Sequence, residues 1–181
     1  MRICGNRRIG EGNWLSLSEL QYEDHNGKLR TWESVSRKKT GGAVLIIAKL
    51  VPSGKLILIR QFRPPAGKTI LEFPAGLLDP GETPAEAAVR ELREETGYTG
   101  KVESVTEPGY SSPGMSSETV CIARMIVAES EQTDLKTDFD ESEYIETLPV
   151  SPEELPELIR KEVLAGNGID IKVAAFAQAL G

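Results

Sequence analysis

A sandwich of the α/β or α+β class is the fold this chain predicts, on three observations. Short apolar runs bounded by glycine, proline or asparagine recur from residue 14 to residue 149, at lengths suited to strands. One stretch, residues 84–96, carries a full set of helix start and stop signals. Two more helical stretches lie near the C-terminus, so two or three helices are available to cover a mixed set of strands.

The elements follow in order. Leu15 and Leu17 begin an alternation over residues 14–22, and Leu29, Thr31, Glu33 and Val35 share one face of residues 28–36. Asn26-Gly27 lies between them, and both residue types tolerate positive φ, which predicts an N-terminal β-hairpin within residues 1–40. Gly41-Gly42 marks the joint to the remainder, 41–181. Residues 43–50 and 55–62 flank a Pro52-Ser53-Gly54 turn and read as buried strands; residues 69–73 form another. Later strands are expected near 118–127 and 143–149, with residues 130–142 as an acidic loop.

The clearest helix starts at Pro84. Thr83 is a good N-cap, Glu86 completes a capping box, and Gly97 supplies the stop. Ala87, Ala88, Val89 and Leu92 form its expected packing side. Ser151-Pro152-Glu153-Glu154 opens a second helical region and residues 170–180 make a third.

Composition narrows the function. Among 181 residues, 28 acidic against 21 basic side chains give a formal charge of -7, which speaks against a surface built to grip nucleic acid or anionic membrane. Two cysteines exclude a disulfide scaffold or a four-cysteine zinc site, and the single His25 excludes a two-histidine metal site. No apolar run is long enough to span a bilayer, and Arg2, Arg7 and Arg8 interrupt any signal-peptide core. A cytoplasmic protein is expected.

Glu91, Glu94 and Glu95 stand at i, i+3 and i+4, so three carboxylates can converge near one helix face. Their mutual repulsion would be relieved by a hard divalent cation, for which clustered oxygens are the natural ligands. Arg90 is placed to pair with Glu86 and Glu94, one turn to either side. A solvated helix face has the same spacing.

The surrounding residues add more. From Gly76 the chain runs GLLDPGETPAEAAVRELREETGY, which resembles the Nudix box. Gly76, Glu82, Arg90, Glu91, Glu94, Glu95 and Gly97 match its seven fixed positions, and Tyr98 replaces the usual aliphatic residue at its end. At about 7% usage per residue type, seven matches arise by chance at roughly one start in 10⁸. The resemblance implies a Nudix-type α/β/α sandwich with a mixed sheet. It also implies hydrolysis of a nucleoside diphosphate linked to another group, with Mg²⁺, or Mn²⁺, as cofactor.

Gln61-Phe62-Arg63-Pro64-Pro65, Glu72-Phe73-Pro74-Ala75-Gly76 and Pro113, 15 positions past Tyr98, are similar to the ADP-ribose and ADP-sugar pyrophosphatase branch. That likeness implies metal ligands at Glu91, Glu95 and Glu94 and at the backbone carbonyl of Ala75. It also implies a further carboxylate, as base or ligand, from Asp140-Glu141-Ser142-Glu143-Tyr144, with Glu143 the better match and Glu141 the next. Arg90 would orient groups from behind the ligands, and Glu82 would tie the loop together. Trp14 and Trp32 match two tryptophans that sandwich adenine across a homodimer in that branch; Arg37 and Arg63 match substrate-reaching arginines, and Glu118 is expected to contact the substrate's far end. The expected partners are a nucleotide-sugar and a second copy of the chain, with no nucleic acid and no membrane. Other Nudix substrates, a GDP-sugar or an oxidised nucleoside phosphate, and a silent ADP-ribose sensor are the alternatives.

Overall fold

A computed structural model of the chain describes residues 1–38, 41–139 and 144–180. Among these residues no helix is long and apolar enough to cross a membrane.

The first 38 residues form three antiparallel strands, one more than the hairpin expected: β1 (Arg2–Glu11), β2 (Leu15–Glu23) and β3 (Leu29–Arg37), in the order β1-β2-β3. Strand β1 carries no apolar alternation because it is an exposed edge, and its register shifts between Ile3 and Gly5 and again between Arg8 and Gly10. In the β2–β3 turn only the glycine of Asn26-Gly27 needs left-handed backbone, with φ +75°. Asp24 closes that turn, its carboxylate accepting from the amides of Asn26 and Lys28.

The remaining strands build a nine-stranded mixed sheet. They are β4 (Ala43–Val51), β5 (Leu56–Arg63), β6 (Lys68–Glu72), β7 (Ala75–Leu77), β8 (Lys101–Val105), β9 (Gly109–Tyr110), β10 (Thr119–Ala128), β11 (Ile145–Val150) and β12 (Gly168–Ile169). The main order is β12-β6-β5-β4-β10-β8, with β11 on β5, β7 on β4 and β9 on β10; β4 with β10 and β6 with β12 run parallel. Three helices complete it: α1 (Pro84–Thr96), α2 (Leu155–Leu164) and α3 (Ile171–Leu180).

Period-two alternation decides the layers. Val44, Ile46, Ala48 and Leu50 of β4 turn to one face, where Ala87, Ala88 and Leu92 of α1 cover them. Leu45, Leu58 and Leu71 turn to the other, where Leu155 of α2 and Val173 of α3 pack. The product is the α/β/α sandwich with a mixed sheet. Leu92 is fully buried, and its truncation to alanine would cost about 2–5 kcal/mol. Val89, expected on the packing side, is exposed.

Helix α1 runs where its local signals place it. Thr83 Oγ1 accepts from the Glu86 amide while the Glu86 carboxylate accepts from the Thr83 amide, Pro84 opens the first turn, and Gly97 ends it at φ +74°. Gly97 also has no room for a side chain, because a Cβ there would lie 2.6 Å from the Leu135 backbone. The acidic loop therefore packs directly on the end of the helix, and the Asp138 amide donates to the Glu94 carbonyl at 2.9 Å.

The two sheets meet at one loop. The Val35 amide donates to the Met115 carbonyl, Trp32 Nε1 donates to the Gly114 carbonyl, and Val35 bridges Ser116.

Candidate active site

A cleft of about 970 Å³ opens where β4 and β5 splay apart and β7 fills the gap beside β4. Among the described residues, eight carboxylates and four cationic side chains line it. It gathers Ala75, Gly76, Arg90, Glu91, Glu94 and Glu95 from β7 and α1, Arg63 and Glu72 from β5 and β6, and Arg37 and Glu118 from the junction with the N-terminal sheet.

Arg90 organises the middle of the cleft. Its Nε and Nη2 clasp Glu82 at 2.9 and 2.8 Å, and Nη2 also donates to the Leu77 carbonyl at 3.0 Å. Nη1 reaches Glu91 at 2.7 Å and Glu94 at 3.1 Å. Hydrogen bonding to Glu82 is the largest cause holding the guanidinium pKa above its ordinary value, and the same contact holds the Glu82 carboxyl below its own. Glu82, whose other contact is the Asp79 amide, thus staples the loop before α1 to the helix. The expected Arg90–Glu86 pair does not form, because the capping box already uses the Glu86 carboxylate.

The carboxylates are held individually. Glu95 is 6% exposed, and its Oε2 accepts from the Ala75 amide at 3.1 Å. Glu91 lies so close to Gly76 that a Cβ there would meet its carboxyl carbon at 1.8 Å. The glycine is needed for this approach, since its φ is not left-handed. Among the described residues no three His, Cys, Asp or Glu side chains close round a common point. Glu91 and Glu94 face Arg90 while Glu95 turns to the Ala75 backbone; the Arg90–Glu94 pair is the one the helix spacing predicted, and the partners of Glu91 and Glu95 are not. The donor set is nonetheless all oxygen, on a helix face cradled by a glycine, and this fits a hard divalent cation.

Two arginines stand across the cleft. Arg63 forks onto Glu72 with bonds of 2.7 and 2.9 Å, and Arg37 Nε donates to Glu118 at 2.6 Å. Glu141 and Glu143 lie outside the described residues. Asp138, Asp170 and Lys172 line the cleft but were not singled out from the sequence, since no local spacing links them to α1.

The tryptophans are exposed, at 79% for Trp14 and 53% for Trp32, and neither lines the cleft. Leu15 pairs with Arg37 and Leu20 with Trp32. Trp14, level with Lys38, therefore stands six residues from the level of Trp32, about 20 Å at a rise of about 3.4 Å per residue. One base cannot lie between both rings of a single chain.

A family model described as the NUDIX domain matches residues 39–166. The chain belongs to the Nudix family. Among Nudix relatives, the ADP-sugar pyrophosphatase of Mus musculus is 36% identical over 98% of this chain and 86% of its own. The ADP-ribose pyrophosphatase of Bacillus subtilis (strain 168) is 38% identical over 87% of this chain and 82% of its own. A crystal structure of an ADP compounds hydrolase shares the fold at a TM-score of 0.67 and 23% identity, covering 88% of this chain and 82% of that one.

Proposed function

We propose that this Nudix chain is a divalent-cation-dependent pyrophosphatase that splits ADP-ribose or a related ADP-sugar into AMP and a sugar phosphate. The observation that carries this reading is the charge of the cleft. Among the described residues, eight carboxylates against four cations would repel an anionic diphosphate. Such a cleft suits that substrate only with added positive charge, and its oxygen donors are the kind that attract it. The names of the relatives supply the ADP-sugar.

Glu91, Glu95 and Glu94, with the Ala75 carbonyl, would hold Mg²⁺, or Mn²⁺. Bound there, such an ion supplies charge neutralisation at the phosphoryl oxygens and Lewis-acid activation, worth several kcal/mol in the transition state. Arg63 and Arg37 present guanidinium forks to phosphate oxygens, for which they exchange their Glu72 and Glu118 partners. Arg90 orients Glu91 and Glu94 from behind. Glu143, or Glu141, takes the proton of the attacking water. Addition of that water across the P–O–P bridge then leaves phosphate monoesters on both fragments.

The N-terminal 40 residues serve as a dimerisation and adenine-contact unit, and residues 41–181 as the hydrolase. Because Trp14 and Trp32 of one chain stand apart, an adenine sandwich needs a second copy, which makes the enzyme a homodimer. Free Cys4 and Cys121 suit the reducing cytoplasm. A panel of nucleotide-sugars assayed with Mg²⁺ and Mn²⁺ tests the reading. AMP and ribose 5-phosphate from ADP-ribose are expected, and preferential turnover of a GDP-sugar would overturn it. Within that assay Glu143→Gln should lower kcat more than Glu141→Gln.

A further inference from the structure

We propose that Lys172, far from the Nudix box in sequence, is a substrate-binding residue that takes a phosphoryl oxygen of the bound nucleotide-sugar; this rests on the pyrophosphatase reading above. Strand β12 pairs in parallel with β6 at Ile70 and Leu71, and the Asp170 amide continues the ladder onto the Leu71 carbonyl at 3.0 Å. That pairing sets Asp170 and Lys172 on the cleft wall that Arg63 and Glu72 also form.

The four cations that line the cleft among the described residues are held differently. Arg63 is forked onto Glu72, Arg90 is clasped by Glu82 and the Leu77 carbonyl, and Arg37 meets Glu118 from the loop before β10. Lys172 is held by its own helix start: Nζ donates to Asp170 Oδ2 at 2.7 Å, and its amide donates to Oδ1 at 2.7 Å. The lysine side chain is 42% exposed, so its pair is screened by solvent and exchanges at low cost. A lysine stem has four rotatable carbons and a compact charge, so the head can leave one oxygen anion for another without moving the backbone. Among the described residues carboxylates outnumber cations two to one in the cleft, so an arriving phosphoryl anion needs every cation that can leave its carboxylate. Lys172 can therefore be surrendered to substrate as Arg37 and Arg63 can, and it does so from the β12 side of the cleft.

The location fits a two-armed substrate. From β12 through β6 and β5 to β4 and β10 there are four strand spacings, about 20 Å, with the α1 carboxylates between the ends. Lys172 serves one end of this span, and Arg37 with Glu118 the other.

Steady-state kinetics of Lys172→Ala and Lys172→Arg on ADP-ribose with saturating Mg²⁺ test the assignment, with product inhibition by AMP and by ribose 5-phosphate. The alanine variant should raise KM about ten-fold at nearly unchanged kcat, and arginine should restore most of it. The KM gap should narrow with sodium chloride, as the screening length falls from about 10 Å at 0.1 M to about 3 Å at 1 M. A purely structural role would not produce that salt dependence. Selective loss of AMP inhibition places the contact on the nucleotide phosphate, and selective loss of ribose 5-phosphate inhibition places it on the sugar phosphate. Unchanged KM and unchanged inhibition by both products overturn the proposal while leaving the pyrophosphatase reading standing. If wild-type protein fails to turn over ADP-ribose, that reading falls, and calorimetric binding of AMP and ribose 5-phosphate to wild type and Lys172→Ala still decides the lysine's role.

Discussion

Replacing Gly76 with alanine should separate the fold from the chemistry. A Cβ at residue 76 would lie 1.8 Å from the Glu91 carboxyl carbon and 1.9 and 2.4 Å from its oxygens. Restoring an ordinary contact of 3.4 Å from 1.8 Å requires the carboxyl carbon to retreat by about 1.6 Å. The obstructing atoms end a flexible side chain, so the backbone can stay in place. What is weakened is the partly exposed Arg90–Glu91 ion pair, a loss of about 1 kcal/mol or less. That corresponds to roughly 2–4 °C in Tm for a chain of this size. A displacement of ~1 Å at a reacting centre can cost about 10²-fold in rate. ADP-ribose turnover across a Mg²⁺ titration, with scanning calorimetry on the same samples, reads both effects. The expected result is kcat/KM down by about 10²-fold and a higher Mg²⁺ requirement, with the small Tm shift. If kcat/KM stays within about three-fold of wild type and the Mg²⁺ dependence is unchanged, Glu91 does not act as a ligand.

Three further outcomes are expected. Glu95→Gln keeps an acceptor for the Ala75 amide, so the fold should persist while turnover falls by several kcal/mol of transition-state stabilisation; near wild-type activity at saturating Mg²⁺ would remove Glu95 from the ligand set. Arg90 holds the Glu82 carboxyl below its ordinary 4.5, so ionised Glu82 stabilises the fold above that pH and the contribution is lost as pH falls through the folded value. Glu82→Gln should then lower Tm by roughly 2–4 °C near neutral pH, with the two melting curves converging in acid as the folded Glu82 carboxyl takes up its proton; a pH-independent gap would mean that charge is not the cause. Trp32→Ala should weaken ADP-ribose binding by about 1–3 kcal/mol and leave Mg²⁺ binding unchanged. Sedimentation of the wild type as a monomer at micromolar concentration would discard the two-chain sandwich.

The sequence by itself determined helix α1 and its acidic face, because every signal there is local. Thr83, Pro84, Glu86 and Gly97 act on backbone groups within a turn of themselves, and the i, i+3, i+4 spacing needs only helical geometry. The β4 alternation was legible for the same reason, since a period of two sorts side chains to faces before any partner is known. Strand β1 was not legible, since an exposed edge strand with glycines at its irregular positions has no pattern to read. Beyond the Arg90–Glu94 pair, which the helix spacing showed, only the tertiary structure decided the partners of the charged side chains in the cleft. Arg90 turned from Glu86 to Glu82 because the loop before α1 folds back along the helix, and local capping had already claimed Glu86. Asp138 reaches the cleft through its bond to the end of α1, and Lys172 through the pairing of β12 with β6. A cleft whose walls come from several strands and a helix depends on which strands pair, and that choice is made by burial of whole faces rather than by any residue's neighbours in the chain.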